Sequence, residues 1–401
     1  MSRNISANIP KMFVLQSLHW FLLILPTIVL FFQENGLSLT DIFMLQSVFS
    51  VSIVVLEIPT GYFADVFGRK SSLVAGFFLG FMGLLTYCFS HGFWGFLAAE
   101  LTMGLGASFS SGTDQAMLYD SLLELKKGGD YKRVSGKYFS VSSASEGTAS
   151  VLGGLLAAIS FRLPFYVETG LMGLGVLVAL TLVEPRRKKF EHPEGSLKGI
   201  LSVIRFSMSG HPRLKWMILY ATAISASTLT MFWFWQPYFS AVGLPVAWLG
   251  FTFGGLQFWM SFVSHQAPQI ERWMGEKTAL KVFLGMVCVG YGLVALTGSL
   301  WGVLLSLIFY TVRGFNAPLF SDYVNQMVPS DRRATVLSLQ SLLVRLLFSI
   351  WGPIAGLIAD GRGLSTAIAI SGGLFSALGS ICLWGILRNR NRTRNRNRSY
   401  N

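Results

Sequence analysis

His19, Glu100, Asp114, Glu146, Arg313 and Arg345 stand inside long apolar runs of the sequence. A charge in such a place is costly to bury, so each calls for a pairing partner or a task. The chemistry open to them is proton carriage. A carboxylate such as Glu146 in an apolar setting can take up and release a proton as its surroundings open and close, and a histidine titrates close to neutrality. The plainer alternative is that Glu146, Arg345 or Arg313 belongs to a fixed ion pair between helices and that His19 is a hydrogen-bonded packing residue. The run from 231 to 239, MFWFWQPYF, sets Trp233 and Trp235 beside Gln236, which could stack a planar substrate, or could sit in an interfacial aromatic belt. No phosphate-binding glycine loop, metal-spaced His/Cys set or nucleophile triad accompanies these residues. Neither an enzyme nor an ATP-driven pump is expected, and no catalytic residue, cofactor or metal is assigned.

A second constellation is more specific. In GYFADVFGRK (61–70), Gly61 leaves room for a neighbouring helix, Gly68 permits a tight reversal, and the Asp65 carboxylate can face a helix N-terminus. Arg69 and Lys70 follow, and Asp120 lies in AMLYDSL (116–122). The ten residues resemble the signature loop of the major facilitator superfamily, G-x-x-x-D-x-x-G-R-[KR], at every defining position. The resemblance implies a cytoplasmic latch. Asp65 would dock on the start of span eleven, where VPSDRRATVLSL (328–339) supplies Asp331, and Arg69 would pair with Asp120 at the end of span four. It also implies that spans one, four, seven and ten line the substrate cavity, which would bring Arg313 and Asn316 of span ten to it.

The elements that must hold these residues follow from composition. Of 401 residues, 52% are hydrophobic and 13% charged, well below the roughly 25% charge of soluble domains. Apolar stretches of about 20 residues, the length that crosses a bilayer, recur near 12–33, 40–62, 70–90, 93–118, 136–159, 163–184, 214–239, 245–268, 278–297, 300–326, 334–359 and 364–387. The expected fold is an all-α membrane protein of twelve transmembrane helices in two six-helix halves. The halves are 1–184 and 214–388, joined by a cytoplasmic loop 185–213 and followed by a basic, disordered tail 389–401. Internal repetition agrees with this division: Gly68 and Lys70 match Gly275 and Lys277, and Arg133 matches Arg333.

The net charge of +13 is topological rather than a nucleic-acid surface. Basic clusters fall on alternate loops, whereas the other side holds only Arg162 and Arg362, so both termini are expected in the cytoplasm of a cell whose inner membrane the chain spans. No cleavable signal sequence is expected, and Cys88, Cys288 and Cys382 read as isolated packing residues.

Span four carries Glu100, Gly104, Ala107, Ser111 and Asp114 along what would be one helical face, although small residues in such a stripe equally serve close packing. Glu100 takes the place where proton-coupled drug antiporters of the family carry an arginine ahead of G-x-G, and span five lacks their Gly-Pro bend. The sequence expectation is a monomeric secondary transporter of a small organic solute, proton-coupled and with export preferred. An uptake symporter, or a non-transporting receptor or scaffold on the same fold, is the alternative. The partners expected are the substrate, protons and the lipid bilayer, without nucleic acid.

Overall fold

A computed structural model describes residues 4–186, 205–329 and 332–398. Among them the regular structure is helical throughout, as backbone polar groups in a lipid setting require. Among the described residues, nine helices are long and apolar enough to cross a membrane.

The chain divides into two compact units. The first comprises 1–189 with 244–257, the second 190–243 with 258–401. In the first unit α1 (Asn8–His19) and α2 (Ile28–Glu34) are followed by α3 (Leu39–Phe67), α4 (Arg69–Phe89), α5 (Gly92–Ser110), α6 (Thr113–Glu124), α7 (Tyr131–Ile159) and α8 (Leu163–Leu180). α4 packs against both α5 and α8, and α1 against α7 and α8. Close approach rests on glycine: a Cβ at Gly76 or Gly106 would enter the facing backbone or the Ser110 side chain.

Two expected spans are broken. The run 12–33 is not one helix but α1 and α2 separated by irregular backbone over 20–27. Pro26 removes one donor and restricts Leu25, which disfavours a continuous helix there. The run 93–118 ends its first helix at Ser110, and Gly112 at φ +69° starts α6 in a new direction. The stripe from Glu100 to Asp114 is therefore not one face of one helix.

The second unit holds α9 (Pro212–Ala241), the C-terminal part of α10 (Val246–Met274), α11 (Glu276–Leu296), α12 (Gly302–Met327), α13 (Arg333–Arg362) and α14 (Leu364–Arg398). α9 contacts α12, α13 and α14 and is its most enclosed helix. Pro237, Pro268, Pro318 and Pro353 are accommodated inside these helices without interruption. α14 runs on to Arg398, so most of the 389–401 stretch expected to be disordered is helical, in keeping with the good helix propensity of arginine. Most of the connecting loop, 187–204, and Asp331 of the expected latch lie outside the described residues.

Candidate functional site

The 61–70 segment closes α3 and opens α4. Gly68 adopts φ +111°, a conformation that side chains with a Cβ rarely accept. The turn aims Arg69 back along α3, with its Nη1 3.2 Å from Asp65 Oδ1. Its Nε lies 3.6 Å from Asp120 Oδ2 on α6. One guanidinium is thus set between the two carboxylates singled out in the sequence. Lys70 is half-buried beside it.

Glu184 was not among the sequence candidates, yet it completes this corner. Its Oε1 accepts the Arg69 N–H at 2.8 Å and its Oε2 the Lys70 N–H at 2.7 Å. The carboxylate caps the N-terminus of α4, where orphan amides and the helix dipole both favour an anion. Its position at the end of an apolar run, where it reads as the first residue of the linker, concealed it. A Cβ on Gly68 would lie 2.9 Å from this carboxylate, so the glycine is required twice over. Gly61, by contrast, is exposed, and no atom lies within 4 Å of where its Cβ would stand. The close helix approach expected of it is not seen.

Asn8 ties the same end of the unit together. Its amide donates to Val183 O at 2.7 Å and to Ser121 Oγ at 3.1 Å, and accepts the Val183 N–H at 3.0 Å. Asp120 and Glu184 are therefore held on a stitched frame of α1, α6 and the segment after α8.

Deeper in the unit, the structure brings together residues read separately in the sequence. His19 ends α1 within electrostatic reach of Asp114, and Tyr138 Oη on α7 donates to Asp114 Oδ2 at 3.3 Å. Below them Gln16 donates to Ser142, and Ser17 and Ser145 lie 2.8 Å apart. This polar seam between α1 and α7 leads to Glu146, which is half-buried and, like Arg345 on α13, engaged with other groups. Glu100 lies elsewhere. It is 4% exposed and accepts a hydrogen bond from Gln46 on α3, which fixes it between helices rather than in an open cavity.

In the second unit Asn316 Nδ2 donates to Ser225 Oγ at 2.7 Å, and Gln340 Nε2 reaches the same oxygen at 3.3 Å. One hydroxyl joins α9, α12 and α13. Arg313 is exposed and places its guanidinium 5.8 Å from the Phe232 ring. The aromatic run is built differently from expectation. Trp235 is 1% exposed, stacked on Phe239 at 5.2 Å and edge-on to Phe309. Trp233 and Gln236 are buried as well. Rings and an amide so enclosed have no free face for a ligand or for a lipid interface, because the helix-packing demand of α9 has claimed them. Asn316 alone of the four proposed cavity residues is only half-buried.

Two further acids were missed. Glu57 on α3 is exposed and meets Ser111 Oγ at 3.5 Å, and Glu168 on α8 is buried. Both fall within expected spans, so the rule that selects Glu146 selects them too.

A glycine-turned hairpin that sets one guanidinium between two carboxylates, on helices long and apolar enough to cross a membrane, describes a polytopic helical membrane protein. The Major Facilitator Superfamily profile matches residues 12–353, and the chain belongs to that family. It is 19% identical to the uncharacterized MFS-type transporter YxaM of Bacillus subtilis (strain 168) over 354 residues, 86% of this chain and 87% of the relative. It is 23% identical to the class H tetracycline resistance protein of Pasteurella multocida over 345 residues, 82% of each. The crystal structure of the nucleoside transporter NupG superposes with a TM-score of 0.78 at 15% identity, covering 95% of this chain and 99% of that one.

Proposed function

We propose that this chain is a twelve-span secondary transporter working by alternating access, with six-helix halves 1–184 and 214–388 joined by the 185–213 loop. In this reading both termini are cytoplasmic, the membrane is the inner membrane, and the working unit is a monomer. The observation that carries the reading is Arg69 poised between Asp65 and Asp120. A charged pair joining α4 to α6 next to a glycine hinge is a contact that can form and break with conformation, and a static scaffold has no use for it. The cargo is a small organic solute, and export coupled to proton entry is preferred. Likeness to a tetracycline resistance protein supports that direction, and uptake by a symporter or facilitator is the alternative. Coupling is assigned to Glu146 and to the His19–Asp114 pair, and cargo contact to Asn316 with Arg313.

Inverted membrane vesicles energised to acidify their interior, loaded with a pH-sensitive dye, test this. Tetracycline or another transported compound should partly reverse the dye response as protons leave in exchange. Proton-coupled entry of a nucleoside into right-side-out vesicles, with no response in inverted ones, would sink the export reading in favour of symport.

A further inference from the structure

The break in the first span is matched by a carboxylate from the sixth. Pro59, Pro237, Pro268, Pro318 and Pro353 all sit inside helices that continue past them. Around Pro26 the helix is lost for eight residues, 20–27. The local turns there return only part of the hydrogen bonding: Leu23 N–H reaches Phe21 O, Leu25 N–H reaches Leu22 O and Thr27 N–H reaches Ile24 O. The Ile24 N–H donates instead to Glu168 Oε2 at 3.0 Å. Leu23, Ile24 and Thr27 are all buried, so no water relieves this backbone, and irregular backbone within a membrane persists only where protein groups satisfy it.

Glu168 is itself 2% exposed, and its second oxygen, Oε1, has no hydrogen-bond partner. Among the described residues no cation offsets it. Arg162, six residues earlier at the N-cap of α8, is engaged by Asn35, His91 and the carbonyls of Tyr87, Cys88 and Ser90. On the packed elements, Cys88 of α4 faces Thr169 at 3.3 Å, Tyr87 lies beside Glu100, His19 of α1 is turned to Asp114, and Glu146 of α7 is engaged with other groups. The Leu23 amide also acts on this carboxylate, but Oε1 itself is left without a bonded partner, and α7 closes over the segment, with Gly153 pressed against the Leu23 carbonyl.

We infer that Glu168 is a proton-binding site whose occupancy holds the unwound segment 20–27 of the first span in place. The proton is delivered by hydronium: one O–H bond of hydronium breaks, the O–H bond on Oε1 forms, a water molecule leaves, and no bond of the protein is broken. With the proton bound, the neutral acid keeps its Oε2 on the Ile24 amide and the break is stable between α7 and α8. With the proton gone, the carboxylate accepts the Ile24 amide more strongly, but a buried charge without a cation costs more than that bond returns, so the side chain draws away toward water, Ile24 is released, and α1 and α2 are free to move against each other. The site deepens the proton-coupled reading above and rests on it for its role in transport.

Hydrogen exchange of the purified chain in lipid nanodiscs, without substrate, tests it. After correction for the chemical exchange rate, peptides covering 20–27 should exchange about tenfold faster in alkaline than in acidic buffer, the size expected when a hydrogen bond to a buried group is lost. Glu168→Gln, a neutral isostere, should stay at the acidic wild-type level at every pH. Glu168→Asp, one methylene short of Ile24, should exchange fast throughout. Wild-type protein with no pH response in 20–27, or Glu168→Gln with the full wild-type response, overturns the proposal. So does closure of the segment by sodium ions at alkaline pH, which would make the ligand a metal cation. A pH-dependent segment in a chain that gives no dye reversal would sink the coupling reading and leave the proton site standing.

Discussion

Glu184 touches Gly68, Arg69 and Lys70 through one carboxylate, so its replacement acts on a turn, a helix end and an ion pair together. Glu184→Gln keeps the shape but removes the charge that the helix N-terminus favours, and should cost about 0.5–1 kcal/mol, read as faster amide exchange in the first turn of α4. Gly68→Ala should cost more, about 1–3 kcal/mol from the backbone at φ +111° and ψ 152° alone, with a steric share that Glu184→Ala relieves. A double-mutant cycle between those positions measures that share, and strictly additive effects would place the strain elsewhere. Arg69→Ala and Asp120→Ala should each slow transport, and together no more than either alone. Independent multiplying effects would show that the 3.6 Å pair is not a unit. At this scale the sequence was legible where local geometry is set by neighbours in the chain: the tight reversal at Gly68 was readable from the segment itself. Glu184 was not, because its partners lie 114 and 115 residues away and its own surroundings look like the start of a linker.

Helices one and four show what an apolar run conceals. Length and hydropathy indicate a span but do not say whether it is continuous, and Pro26 and Gly112 were visible without their consequences. Proline alone does not break every helix in this chain, and what sets the Pro26 region apart is that Glu168 from α8 takes the Ile24 amide. The nest for that segment is equally exacting. A Cβ on Gly153 would stand 2.0 Å from the Leu23 carbonyl oxygen, whereas one on Gly173 would meet only the Phe81 ring at 3.4 Å. Gly153→Ala should therefore destabilise the first unit by about 1–3 kcal/mol, the usual range for overpacking, while Gly173→Ala should stay well below that. Thermal unfolding in detergent compares the two directly, and equal shifts would mean that 20–27 yields easily to its neighbour.

For the whole molecule, the distribution of basic residues carries the topology expectation, since retention of Lys and Arg on the cytoplasmic face depends on charge counts and not on packing. It leads to a simple check. In a background with the native cysteines replaced, Lys126→Cys should resist a membrane-impermeant maleimide in intact cells and Gly298→Cys should react, whereas the reverse pattern would invert the topology. Packing between distant parts was illegible by the same logic, and this is where the broken first span has a further consequence, in biogenesis. The Ile24 amide and its Glu168 acceptor are 144 residues apart, which at ~5–20 residues per second of synthesis separates their emergence from the ribosome by roughly 7–30 s. For that interval the first span enters the bilayer with an unwound centre that its own chain cannot yet satisfy. Insertion machinery or a transient helix must shelter it until the sixth span arrives, so truncation before residue 168 should leave the first span prone to slip out of the membrane.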